Sequence, residues 1–488
     1  MRIFPPPLPD LGDSLPPPPP DLGDGLPALV PDADEGPPFP GPDSGSDSDK
    51  DSSSDEDEGP HPPASDEGKP HLTLEKMKTD RRFIEMIRES TLESQLSPGE
   101  LQTFRNPLEH QFLPSDDEDL HLSIDFYVSS LDHAQSQKAY AKSRSSILRH
   151  FPGSNMLSYD QVKRRVSDLS GIVTWKHDMC FYSCAGFTGP FENLDGCPHC
   201  GEPCYNQQVL ANSGGKKKIP RKVFTMFALG PQIQAHWRNP QTAQDMSYRR
   251  NKTREELSSD RNADNYSFDD VFSGTDYLEA VENGDINDHD TVVMFSIDGA
   301  QLYRNKKSDC WMYIWLILDL APEKCYKIRN ILPGGIVPGP GHPKNLDSFL
   351  FQGLAHVSAL QKEGLHIYDS YHREVFTSFL FLLLALADAI AMAELSGSVG
   401  HHGRRGCQLL CELVGRNKPR GPHYYPALPR PLGTHESSCN HPDFDVANLP
   451  PIDPFKYQED LTSVITSQNN TQYQQRRLRT GIRKASIF

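Results

Sequence analysis

Residues Thr291–Gly299 read TVVMFSIDG. Five large apolar side chains in a run this short, closed by Asp-Gly, mark a buried strand that ends in a turn. Similar runs follow at Trp311–Leu320 (WMYIWLILDL), Tyr326–Val337 and Phe379–Ala387 (FLFLLLALA). Between them Leu346–Gln361 has helical spacing, and a second helix is expected from Asp388 through Leu395. Strand-like runs first, then alternating helix and strand, predict an α/β domain with a mixed sheet over 291–400.

Two carboxylates stand out in this frame. Asp298 closes the first run and Asp388 follows the last. A lone carboxylate buried at the end of an apolar strand is costly unless a cation or strong donor meets it. Two of them meeting across a sheet would form a Mg²⁺ site. Two ions about 4 Å apart would activate water or a 3′-hydroxyl for phosphodiester chemistry. The plainer reading of an Asp before Gly at a strand end is a turn residue. Asp319 also ends an apolar run and competes on pattern alone.

Upstream, Cys180, Cys184, Cys197 and Cys200 form C-x3-C-x12-C-x2-C. Two close pairs joined by a short loop are what a tetrahedral Zn²⁺ requires, and four protein ligands make the site structural. Free structural cysteines are the alternative. Cys204 and His199 could substitute as ligands but rank below the four. This sets residues 171–210 apart as a zinc-binding module, preceded by a helical region over 73–170. There Phe83, Ile84, Met86 and Ile87 recur at helical spacing, and short helices fit Pro98–Arg105, Ala134–Arg149 and Tyr159–Leu169. Ser158 and Asp160 are candidate caps for the last of these.

The segment 211–290 reads as a basic linker and helical region, with Val223–Trp237 as an amphipathic helix. Lys216, Lys217, Lys218, Arg221 and Lys222 form one basic patch; Arg249, Arg250, Lys252 and Arg254 form another. Arg476, Arg477, Arg479, Arg483 and Lys484 make a third. Each could neutralise phosphates in nucleic acid, or could be a solvated linker or localisation signal. In 401–488, His401, Cys407 and Cys411 suggest a second zinc site, with His435, Cys439 and His441 about 25 residues on. That spacing is loose, and scattered Cys and His in a loop-rich region is the alternative.

Composition bounds the partners. The 488 residues carry a net charge of −17, which argues against nucleic acid. Residues 1–70, however, hold 17 acidic and three basic side chains and 19 of the 43 prolines. The remaining 418 residues have 49 acids and 46 bases, a net of −3. Residues 1–72 are too poor in apolar side chains to offset their ordering entropy and are expected to be a disordered acidic tail. No apolar stretch at the start has the length of a secretory signal. Phe379–Ala387 is about half the ~20 residues that a membrane span needs.

Several segments together carry a resemblance. HDMCFYSCAGFTGPFENLDGCPHCGEPCY (His177–Tyr205), PRKVFTMFALGPQIQAHW (Pro220–Trp237), FSIDGAQLYRNKKSDCWMYIWLILDLAPE (Phe295–Glu323), IVPGPGHPKNLDSFL (Ile336–Leu350), LADAIAMAELSGSVGHHGRRGCQLLC (Leu386–Cys411) and RRLRTGIRKASIF (Arg476–Phe488) resemble CACTA-type (En/Spm-like) transposases of fungi. The match runs in order from about Leu74 to the last residue. It implies an RNase H-like core in which Asp298 and Asp388 hold catalytic Mg²⁺. It also implies structural zinc on the Cys180–Cys200 set, and a His/Cys insertion carrying His401, Cys407 and Cys411. Around the second aspartate the family usually has a Gly-Asp-x-Pro-Ala-like sequence; here it is Ala387-Asp388-Ala389-Ile390-Ala391. Cys204 falls where relatives often carry Arg. The implied activity is cut-and-paste transposition in the nucleus. It comprises Mg-dependent hydrolysis and strand transfer at element ends, with DNA as partner, self-association open and no membrane. In the family the core continues past the Ser-Ile-Phe segment and supplies a third acidic residue there, so the chain is expected to be a truncated or decayed copy. Glu394 and Glu412 are available acids that nothing supports in that role. The alternative is a non-catalytic, zinc-stabilised DNA- or protein-binding module.

Overall fold

A computed structural model describes residues 70–107, 117–261, 266–301, 309–339, 341–407, 413–417, 424–425 and 453–488. The expected acidic tail lies almost entirely outside these residues. The described chain opens with helices α1 (Pro70–Glu89), α2 (Pro98–Arg105), α3 (Glu118–Asp132), α4 (Gln137–His150) and α5 (Tyr159–Ser170). Strand β1 (Thr174–Asp178), the cysteine-rich loop with α6 (Gln207–Asn212), and β2 (Val223–Phe227) follow. Then come α7 (Leu229–Trp237), α8 (Pro240–Asp245), α9 (Tyr248–Ser258) and α10 (Thr275–Glu282). The central part is β3 (Thr291–Gln301), β4 (Asp309–Ile317), α11 (Pro322–Cys325), β5 (Leu332–Pro338) and α12 (Asp347–Glu363). It continues through β6 (Leu365–Asp369), β7 (Glu374–Ser378), β8 (Leu380–Ala387) and α13 (Ala389–Ser396), and α14 (Pro454–Ile465) and α15 (Asn470–Thr480) come last.

The expected mixed sheet is present. Six strands lie in the order β1-β2-β5-β4-β3-β8. β3, β4 and β5 form an antiparallel meander; after the α12 crossover, β8 returns parallel to β3. Alternation along the strands sets the two faces. Phe295 and Ile297 of β3, with Tyr313 and Trp315 of β4, point to one face and pack on Phe349, Leu350 and Leu354 of α12. Phe83 brings α1 into the same core through an edge contact with Phe191 (5.3 Å) and a tilted contact with Phe351 (5.8 Å). On the opposite face Met294 and Leu316 pack on Phe272, Tyr277 and Leu278. Helices α3–α5 enclose a smaller core of Tyr127, Tyr140, Met156 and Val162.

Two local expectations change. Val223–Trp237 is not one helix but β2 followed by α7. Phe224 and Met226 are buried while Val223 is exposed, a period of two that belongs to a strand, and Pro231 falls in the first turn of α7, where proline is tolerated. Helix α3 was not expected. Its signal was legible: Asp117 accepts a bond from the Leu120 N–H at 2.9 Å as an N-cap. For α5, Ser158 does fill the cap, in a capping box with Gln161. Phe379–Ala387 becomes strand β8, and no helix among the described residues is long and apolar enough to cross a membrane.

Candidate metal and nucleic-acid site

Parallel pairing between β3 and β8 decides where the two aspartates stand. The register runs through Ser296↔Leu386 and Ile297↔Ala387. The next residue on each side is an aspartate, so Asp298 and Asp388 stand side by side on neighbouring strands ~4.8 Å apart. The Asp298-Gly299 pair is not the turn expected from sequence, because β3 stays paired with β4 as far as Gln301, whereas Asp388 lies just past the end of β8. Both are exposed. Asp298 accepts a bond from the Gly299 N–H at 2.7 Å. Asp388 caps α13, accepting from the Ala391 N–H at 2.7 Å. Each carboxylate thus keeps oxygen lone pairs directed to solvent, which a hard cation could take. The buried-carboxylate premise does not hold for these two.

It holds for Asp319 instead. This carboxylate is 5% exposed and sits against Arg249, 1% exposed, at 2.7 Å. Arg249 also donates to the carbonyls of Asn287, Asp288 and Asp290 and to the Tyr277 hydroxyl. Burial works against the charge on Arg249, but Asp319 and Tyr277 more than offset it and hold the guanidinium charged. Arg249 is therefore an internal clamp between α9 and the start of β3; it does not reach a phosphate on the surface. Its neighbour Arg250 is half-buried, with Nε enclosed. Sequence alone missed this because a buried Arg inside a basic run looks like any other basic residue.

The four cysteines converge. Cys180, Cys184, Cys197 and Cys200 place their sulfurs within 4.8 Å of one another, and Cys180 Sγ and Cys200 Sγ are 3.6 Å apart. A zinc ion at ~2.3 Å from each sulfur sets them about 3.8 Å apart, so the set could hold zinc. Two tight turns build it: the Cys180 N–H donates to Ala185 and the Cys197 N–H to Glu202, both at 2.9 Å. Gly201, at φ +73°, completes the second turn. Burial pushes the Cys197 thiol up to about 11; a metal that takes the thiolate removes that penalty. Cys204 is buried 4.0 Å from Asp178, its thiol pushed up to about 12 by burial, and it stands outside the four-sulfur cluster. His199 is outside it too, with Nε2 enclosed and without a partner among the described residues.

The linker basics largely fasten this module. Lys218 pairs with Asp195 at 2.8 Å and lies over the Tyr205 ring. Arg221 pairs with Glu202 at 2.5 Å and covers the Phe181 ring at 4.6 Å. Lys222 donates to Ser183 at 2.9 Å and to the carbonyl of Gly339. Lys216 and Lys217 are exposed. Of the second suggested zinc set, His401 is exposed against His402 and Cys407 is half-buried, while Cys411, His435, Cys439 and His441 lie outside the described residues. One cluster escaped the sequence. At the β6–β7 turn Asp369, His372 and Glu374 come together, with His372 Nδ1 2.6 Å from Asp369 Oδ2. Its signal, D-x-x-H-x-E across a tight turn, has no force until the hairpin is known.

Chain direction gathers these parts. β3 and β8 end, β4 begins, β5 ends and β2 begins at one edge of the sheet. The zinc-type module lies between β1 and β2, so it emerges at that same edge. Residues 285–417 match the transposase family tnp2. This span covers β3 through α13 and includes both aspartates. The region is thus similar to a transposase family. No curated protein matches the chain.

Proposed function

We propose that the protein is a CACTA-like DNA transposase. In this reading an RNase H-like core uses Asp298 and Asp388 to hold Mg²⁺ for phosphodiester hydrolysis and strand transfer at element ends. The observation that carries it is the parallel β3–β8 register, which supports a shared carboxylate site at one strand edge. The tnp2 match over the same strands supports the transposase class. Mg²⁺ would supply Lewis acidity there; the chain's part is to present two carboxylates from adjacent strands, Asp298 from within β3 and Asp388 from just past β8, fixed further by its cap on α13. Structural zinc on Cys180, Cys184, Cys197 and Cys200 would order a ribbon-like module beside them. DNA as partner, and the nucleus as its place, follow from this reading.

The test is metal binding, read with Mn²⁺ as a paramagnetic stand-in for Mg²⁺. Wild-type protein should broaden probes near the β3–β8 edge, and Asp298→Asn or Asp388→Asn should abolish the effect. Unchanged broadening in both variants overturns the assignment. The non-catalytic module reading keeps one specific observation in its favour: Glu394, the acid nearest in sequence after Asp388, is paired with Arg483 at 2.8 Å. Nicking of element-end DNA by the 488-residue chain, lost in Asp298→Asn, would reject that second reading.

A further inference from the structure

The turn between Cys180 and Cys184 carries two exposed aromatic rings. Phe181 is 42% and Tyr182 51% exposed, and they meet edge-on at 5.3 Å. Large rings left in water at the tip of a rigid turn have no role in the core. One face of Phe181 is already covered by the Arg221 guanidinium at 4.6 Å. Among the described residues no cation lies over the Tyr182 ring. The turn is held firmly: Ser183 Oγ donates to the Pro338 carbonyl at 2.9 Å, and the N–H groups of Lys344 and Asn345 donate to Cys184. The pair therefore sits at the end of β5, on the sheet edge that Asp298 and Asp388 share. Exposed Lys216, Lys217 and Lys344 lie on the module and the adjoining β5–α12 loop. Lys222 reaches the same loop through Gly339.

β5 is two strands from β3 in the sheet order. Two strand spacings are about 10 Å. Aromatic faces beside a basic track are what unpaired bases require, because every base has a π-face and the cations follow the phosphates. We infer that Tyr182, braced by Phe181, is a stacking platform for an unpaired base of the DNA strand. That base would lie along the same sheet edge as the phosphate held at Asp298 and Asp388. The inference rests on the metal-site reading for the position of that phosphate, though not for the stacking itself. Duplex ends would have to fray to reach Tyr182, so the ligand is DNA with single-stranded character at the element end.

The probe is a short mixed-sequence DNA single strand carrying 2-aminopurine, whose fluorescence is quenched by stacking. Wild type and Tyr182→Phe should bind and quench it. Tyr182→Ala should lose the quenching and bind about tenfold more weakly, with its zinc content and salt dependence unchanged. In contrast, Lys216→Ala/Lys217→Ala should flatten the salt dependence and keep the quenching. Wild-type-like quenching by Tyr182→Ala overturns the platform, as does tighter binding of the same strand made of RNA. If Asp298→Asn leaves Mn²⁺ binding intact while Tyr182→Ala abolishes quenching, the metal reading fails and the platform stands. The reverse pattern removes the platform and leaves the metal reading.

Discussion

His356 shows how fully a single residue can be committed to the interior. It is 1% exposed. Its Nε2 accepts from the Gly230 N–H at 3.2 Å, so Nδ1 carries the proton and donates to Gln95 at 3.2 Å. Burial drops its pKa to about 3. The unfolded chain protonates near pH 6.5 and the folded chain does not, so stability is lost as pH falls from about 6.5 toward 3, by about 1.4 kcal/mol per pH unit. His356→Gln should remove that part of the slope in urea titrations between pH 6.5 and 4. The Arg249–Asp319 pair makes a sharper case. Arg249→Ala leaves a buried carboxylate without its partner and should cost about 3–5 kcal/mol, measured by urea unfolding at pH 7. Asp319 and Asp298 look alike in sequence, each a carboxylate closing an apolar run. Only the partner tells them apart, and Arg249 lies 70 residues upstream of Asp319. Residue type was legible; which carboxylate faces solvent was not.

Among the elements, the antiparallel meander shows close fitting. Tyr313 of β4 lies over Gly334 and Gly335 of β5 and touches Gly353 of α12; a Cβ at Gly353 would stand 2.6 Å from the Tyr313 hydroxyl. Gly353→Ala should therefore destabilise the protein by about 1–3 kcal/mol through overpacking. The hydroxyl itself is buried without a hydrogen-bond partner among the described residues. Tyr313→Phe should raise the thermal midpoint, by about 1–3 kcal/mol of stability; a lower midpoint would show that the hydroxyl does find a partner. The runs that became β3, β4 and β8 could be read directly because their side chains are apolar almost throughout. The hairpin β6–β7 could not, since each strand is only five residues long and Glu374, Thr377 and Ser378 leave β7 with two apolar side chains. The cysteine pairs were legible because ligand spacing is local, whereas the meeting of Asp298 with Asp388 depends on a crossover through α12.

Charge belongs to the molecule as a whole. Residues 1–70 carry a net −14 against −3 for the rest. Protein lacking residues 1–69 should bind DNA more tightly than the full chain at low salt, and the difference should vanish as salt rises and screens the tail's charge. Equal affinities at low salt would show that the acidic segment does not compete with phosphates. The same molecule also has an order of assembly. β3, β4 and β5 are consecutive and can pair early, but β8 must return across some 80 residues to find β3, and such distant pairings form late. Until they do, Asp298 and Asp388 are strangers. If the proposed site holds Mn²⁺, its paramagnetic signal would then serve as a clock for folding, silent through collapse and hairpin formation and switching on only when β8 slots in beside β3.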